Sequence, residues 1–523
     1  METKNIFRGR AFKNYRMVSK NFVKIDYFLL LSLALLCLLT FLNLGNQYLW
    51  QDEAENSIIA RNILQYGYPQ YGYPRAFDGT HLVISDIGYR KNYTWILQPW
   101  LQNYVTAISF YLFGKSTFSA RFPFVLFGIF SFVAAYFLAK RLFYLRVARI
   151  SSVILLTSVP YLLMIRQARY YSLALFFALL LIHGYLDYVE KRKFSELKVI
   201  ASSFFLFNSN FGLFFPLAGG LMLHYLFFHF EWKNIKKDAM MFLLIAVIIT
   251  PIFIYFKGWL HKVPLSADFI FGNIKFYLRS INRYVVPIRF IGIVYLILAA
   301  LKRKFVFFRI NYPDKKKLFL IFFIFITAIL FMGIAKFRSL RYVIYLIPLL
   351  IIFESYILAR WMNYNKFLPL ICIALLVTTD LFHHSIVDFK VRSYFKDYFY
   401  EITHDYEGPI ECIATFLKEN AKKEDTVKIP YGDCAVAFYT GLKVDNKMEP
   451  GKSPYPEWII PRDYWTSSDF YNSNYYKEMQ KRYKKITLDY PDLRWENRPD
   501  DLGYHKFRTV KNYPKKVVTY RKK

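Results

Sequence analysis

A chain of 523 residues in which 55% are hydrophobic and 20% aromatic, with a mean hydropathy of +0.21, carries more apolar surface than one soluble core hides, which excludes an ordinary cytosolic protein. The formal net charge of +33 invites a nucleic-acid reading. The lysines and arginines, however, lie between apolar runs and form no basic face with stacking aromatics, so no nucleic-acid partner is expected.

In chain order, Lys4, Arg8, Arg10, Lys13, Arg16, Lys20 and Lys24 precede an apolar run from Tyr27 to Leu44 that is long enough to cross a bilayer. A cleaved signal peptide is the rival reading. The length of the run, the lack of a small-residue cleavage pattern and the later apolar runs favour an uncleaved first span with a cytoplasmic N-terminus. Later basic clusters, such as Arg141, Arg146 and Arg149 or Lys191 to Lys193, read as cytoplasmic turns. About eleven spans follow, near residues 27–45, 118–139, 150–166, 170–189, 197–209, 211–230, 239–256, 285–301, 318–335, 340–359 and 367–383. An odd number puts the C-terminus outside.

The first outer loop, residues 45–117, opens with Trp50-Gln51-Asp52-Glu53-Ala54. Two adjacent carboxylates where lipid meets water are costly and mark a functional site by default. Asp52 to Tyr66 reads as a short amphipathic helix, with Ile59 and Ile63, and Ala60 and Leu64, at helical spacing before Gly67. The competing structural reading makes Asp52 its N-cap, with Glu55 completing a capping box. Asp78 and Asp86 lie further along the loop, Asp78 reading as a turn former before Gly79. Trp100 to Phe113 is too short to span and is interrupted by Gln102 and Asn103, which suits a surface-lying or re-entrant helix.

A second outer segment, residues 257–284, reads either as a lid or as an interfacial connector. His383 and His384 adjoin the last span, where a boundary role is favoured over metal binding. The tail, residues 384–523, is charged, rich in tyrosine and of domain size, and reads as an extracytoplasmic α+β domain behind a membrane domain of residues 1–383. Within it, Thr426 to Tyr439 reads as strand material with a turn at Tyr431-Gly432-Asp433. Cys412 and Cys434 either pair in an oxidising compartment or stay reduced.

Four elements recur in order: Asp52-Glu53 in the first loop, Gln98-Pro99 with Leu112-Phe113-Gly114 and Arg121-Phe122-Pro123, Arg166-Gln-Ala-Arg169-Tyr170-Tyr171, and Arg338-Ser-Leu-Arg341-Tyr342. With them, the first 380 or so residues resemble the GT-C class of membrane glycosyltransferases that use polyprenyl-phosphate sugars. The branch holding protein O-mannosyltransferases and lipid A aminoarabinose transferases is the nearest in pattern. Gln98 stands where that branch carries a lysine, so any phosphate contact of that lysine falls elsewhere here.

The resemblance implies a polytopic α-helical membrane enzyme moving a sugar, with inversion and in one displacement, from a polyprenyl-phosphate donor to a lipid, glycan or protein acceptor outside the cytoplasm. A departing phosphate needs fixed positive charge, for which Arg341, Arg338 and Arg169 are the candidates. The acceptor must lose a proton, which points to Asp52 as base with Glu53 holding it or the acceptor. Asp86, Gln98, Tyr170 and Tyr342 are the further expected contacts. The Asp-Glu pair lacks the Asp-x-Asp spacing of metal-dependent members, so no catalytic metal is expected, although a divalent ion is possible in the superfamily. The alternative class is a non-enzymatic transporter or flippase for lipid-linked sugars, which would show interrupted helices and internal repeats.

Overall fold

The computed structural model describes residues 26–70, 94–256, 266–292, 312–363, 365–383, 391–446, 448, 455–494 and 502–523. Helix α1 (Tyr27–Phe41) leads into the first loop, which holds α2 (Gln51–Tyr66) and then α3 (Leu101–Phe113). The bundle continues with α4 (Thr117–Leu142), α5 (Leu145–Thr157), α6 (Val159–Ile165), α7 (Tyr171–Val189), α8 (Ser195–Ser209), α9 (Phe211–Phe228) and α10 (Ile235–Tyr255). Next come α11 (Ala267–Tyr284), α12 (Tyr312–Gly333), α13 (Leu346–Trp361) and α14 (Phe367–Thr378).

Among the described residues, five helices are long and apolar enough to cross a membrane, six if α5 and α6 count as one broken span. The shorter apolar helices α1 and α14 accompany them. A helix lies at each expected span position except 285–301, most of which falls outside the described residues. The 71° bend between α5 and α6 has a chemical cause. Pro160 lacks the N–H that would bond Leu156, and its ring crowds that carbonyl. Ser158 therefore leaves the helix at φ −71°, ψ 98°, and the short α6 delivers the turn Arg166–Tyr170 toward α2. Of the proposed lid, residues 257–265 lie outside the described residues; the remainder is the amphipathic helix α11, whose Asn273 and Tyr277 are buried.

The C-terminal part holds α15 (Tyr394–Thr403), α16 (Pro409–Asn420), β1 (Thr426–Lys428), α17 (Asp433–Thr440), β2 (Lys443–Asp445), β3 (Trp458–Ile459), α18 (Ser468–Asn472), α19 (Asn474–Arg482), β4 (Tyr483–Pro491) and β5 (Lys516–Lys522). The sheet order is β2-β1-β3-β5-β4, with β1 parallel to β2 and β3, and β5 antiparallel to β3 and β4. The expected strand at 426–439 is confined to its first three residues. Gly432 at φ 88° breaks the chain, and Asp433 to Thr440, with Ala435 and Ala437, forms a helix that ends at Gly441 in the left-handed region. Cys412 and Cys434 are both free thiols.

Candidate active site around Asp52

Helix α2 begins two residues earlier than the capping reading requires. Trp50 is its N-cap, and the Glu53 carboxylate accepts the Trp50 backbone N–H at 3.4 Å. Asp52 is therefore inside the first turn, where the helix dipole favours its charge, and Glu55 closes no capping box with it. The side chain of Asp52 is free to face elsewhere.

The adjacent carboxylates have different surroundings. Glu53 is fully buried and forms a two-point ion pair with Arg121, Nε to Oε1 at 2.9 Å and Nη2 to Oε2 at 2.7 Å. Glu53 Oε1 also accepts the Ala168 N–H at 2.7 Å. Arg121 spends its other donors on the Leu44, Gln47 and Tyr48 carbonyls. The pair thus ties the loop after α1, the start of α2 and the turn after α6 to the head of α4. Asn56 reinforces this by donating to Thr106 Oγ1 and to the Ala168 carbonyl.

Asp52 instead meets two arginines from distant segments. Arg341 Nη1 stands 2.9 Å from Asp52 Oδ2, and Arg169 Nη2 3.6 Å from the same oxygen. The Asp52 side chain keeps 27% exposure against 4% for Arg169 and 14% for Arg341, so it is the member of the cluster that an acceptor can reach. Arg341 Nη1 also approaches the Tyr171 hydroxyl at 3.4 Å, and Nη2 donates to the Tyr342 hydroxyl at 3.1 Å, the guanidinium lying over the Tyr342 ring. Arg169 Nη1 donates to the Asp52 carbonyl and lies 3.8 Å from Glu55, while its buried Nε has no hydrogen-bond partner among the described residues.

The remaining expected residues divide. Tyr170 packs beside the Arg169 guanidinium, and its N–H is accepted by Gln102, whose amide donates to Gln98. Gln98 therefore reaches the cluster only through Gln102. Arg338 stands outside the Asp52 contacts: its Nε donates to Asn273 of α11 at 2.7 Å. Asp86 lies outside the described residues. Among the described residues no three His, Cys, Asp or Glu side chains are grouped to hold a metal ion.

Two carboxyls that the sequence offers only in structural roles, Glu55 in a capping box and Asp433 in a turn, join the site. Burial pushes Glu55 up to about 8, Arg169 opposing the shift and the Asp52 and Asp433 charges adding to it. Burial likewise raises Asp433 to about 6 against its hydrogen bond from Gln51. Gln51 Nε2 donates to Asp433 Oδ1 at 2.6 Å, and its Oε1 accepts the Gly432 N–H, so the head of α17 is seated on the head of α2. Glu55 follows Asp52 by three residues and shares its helix face, a spacing visible in the sequence. Asp433 has no such signal.

Residues 97–259 match the family model described as dolichyl-phosphate-mannose-protein mannosyltransferase. No curated protein sequence matches the chain significantly. The structure superposes on ArnT from Cupriavidus metallidurans bound to undecaprenyl phosphate with a TM-score of 0.56 at 14% identity, over 94% of this chain and 98% of that one. The apo state of the same protein gives 0.57 at 14% identity with the same coverage. The oligosaccharyltransferase of Archaeoglobus fulgidus in its apo form gives 0.51 at 11% identity, over 80% of this chain and 64% of that one. The chain carries the GT-C glycosyltransferase fold and is an integral membrane protein.

Proposed function

We propose that this protein is an inverting glycosyltransferase that moves a sugar from a polyprenyl-phosphate donor to an acceptor on the outer side of the membrane. The observation that carries the reading is the partly exposed Asp52 carboxylate held between buried Arg169 and mostly covered Arg341, which come from separate turns. ArnT binding undecaprenyl phosphate on this fold supports the donor class.

In this reading the acceptor hydroxyl or amine attacks the anomeric carbon, and the bond from that carbon to the phosphate oxygen breaks. The electron pair leaves with the phosphate as polyprenyl phosphate, and the acceptor proton passes to Asp52. The planar forks of Arg341 and Arg169 take the phosphate oxygens, the unmatched Nε of Arg169 being one donor ready for them. As the phosphate draws Arg341 from Asp52, the carboxylate oxygen that Arg341 held is freed to face the acceptor proton. Glu53, consumed by Arg121 and Ala168, acts as a positioning residue for the α2 turn. Glu55, neutral near pH 7, offers a hydroxyl donor without adding negative charge.

The test is Asp52→Asn, which preserves shape at a position that is not the helix cap. It removes the proton acceptor, so transfer falls by at least the roughly 10²- to 10⁴-fold that such a base contributes, with unfolding unchanged. Transfer within a few-fold of wild type would overturn the assignment.

A further inference from the structure

At the end of the bundle away from Asp52, helices α4, α7 and α8 line an open pocket of about 890 Å³. The head of α4 is beside the site, where Thr117 bonds Tyr439. Lys140, 23 residues on, is therefore about 35 Å away at 1.5 Å per residue, a bilayer's thickness. Lys140, Arg141, Arg192 and Lys198 border the cavity; against these four cations stand two carboxylates, Asp187 in the wall and Glu190 beside it, which takes Arg192 at 2.6 Å and Arg141 at 3.0 Å. Arg141 and Lys198 converge on Asp187, Arg141 at 2.8 Å, and Arg141 Nε is buried with no hydrogen-bond partner among the described residues. Behind the cations the wall turns apolar: Phe177 stacks on Phe205 at 4.9 Å, with Phe137 alongside.

We propose that this cavity binds an anionic glycerophospholipid of the leaflet opposite the one at which Asp52 opens. Lys140, Arg192 and Lys198 hold its phosphate, and an acyl chain lies against Phe137, Phe177 and Phe205. Cations that only fix topology need to stand in the headgroup layer; these border a pocket with an aromatic wall, which suits a charged head joined to a hydrocarbon chain. The excess of positive charge selects an anionic head. Its position, a membrane away from where polyprenyl phosphate would be released, favours a bulk phospholipid over the donor lipid.

The test is native mass spectrometry of the full-length protein in neutral detergent, titrated separately with phosphatidylglycerol, phosphatidylcholine and undecaprenyl phosphate. Wild type retains phosphatidylglycerol in preference to both others. At about 1 kcal/mol per interfacial cation, Lys140→Ala with Arg192→Ala weakens that binding at least about tenfold. Phe205→Trp fills the pocket with the cations intact and gives a second loss should the charge variant fold poorly. Equal binding of phosphatidylcholine, preference for undecaprenyl phosphate, or phosphatidylglycerol binding unchanged in Phe205→Trp would each overturn the proposal. Sugar transfer is scored separately, so failure here leaves the reading of Asp52 standing, and the reverse.

Discussion

Asp52 and Glu53 are neighbours in sequence and opposites in environment. The difference comes from helix geometry: adjacent residues are turned about 100° apart on a 3.6-residue helix, so Glu53 points into the junction with Arg121 while Asp52 points to Arg341 and Arg169. The sequence made the pair conspicuous but could not divide the labour, because Arg341 lies 289 positions from Asp52. Glu55 supplies the pH prediction. Its folded carboxyl sits near 8 against an ordinary 4.5, so the fold favours the neutral form. The linked stability is full below about pH 4.5 and is lost as pH rises through about 8. Ionisation also places a further negative charge beside Asp52, so the KM for donor rises above about pH 8. Glu55→Gln removes this alkaline limb in both a pH–KM profile and a pH–stability series; an identical limb in the variant would release Glu55 from the site.

Among the elements, α2 was legible from its apolar spacing, but its cap was not. The capping rule favours small polar residues at the N-cap, and here tertiary contacts seat Trp50 there, its indole donating to Gln167 at 2.6 Å. In the same way Arg121-Phe122-Pro123 was recognisable as a motif, yet its partner Glu53 was not, since nothing local links the two. Their pairing predicts a stability effect. Glu53→Gln leaves a buried guanidinium without its counter-charge, a change that costs about 3–5 kcal/mol. The midpoint of thermal unfolding in detergent should fall clearly for Glu53→Gln and stay near wild type for Asp52→Asn. Equal midpoints for wild type and Glu53→Gln would show that the ion pair does not hold the α2 turn. The stretch from Thr426 to Tyr439 shows the other limit of local pattern: alternating Val427 and Ile429 suggest a strand, which ends at Lys428, and beyond it Asp433 to Thr440, flanked by two left-handed glycines, forms a helix.

For the whole molecule, apolar run length and basic clusters located the helices well, because hydrocarbon thickness imposes length directly. The joining of α2 to the C-terminal part was out of reach. Gln51 to Asp433, Leu49 to Tyr439 and Tyr48 stacked on Tyr439 at 3.8 Å are long-range contacts with no sequence periodicity. They place the sheet region on the same side as Asp52, which the topology proposal puts outside the cytoplasm. Ser467 is exposed at the head of α18. In Ser467→Cys cells, a membrane-impermeant thiol reagent should label the protein with the membrane sealed. Labelling only after access is given from the cytoplasmic side would reverse the orientation and the side on which transfer occurs.

The central claim is tested most directly by incubating purified protein with a panel of polyprenyl-phosphate sugars and measuring both the release of polyprenyl phosphate and the anomeric configuration of the transferred sugar. The account predicts that at least one donor is consumed, with polyprenyl phosphate released in step with transfer and with configuration inverted. Retained configuration, or lipid-linked sugar carried across vesicle membranes with no donor cleaved, would contradict it.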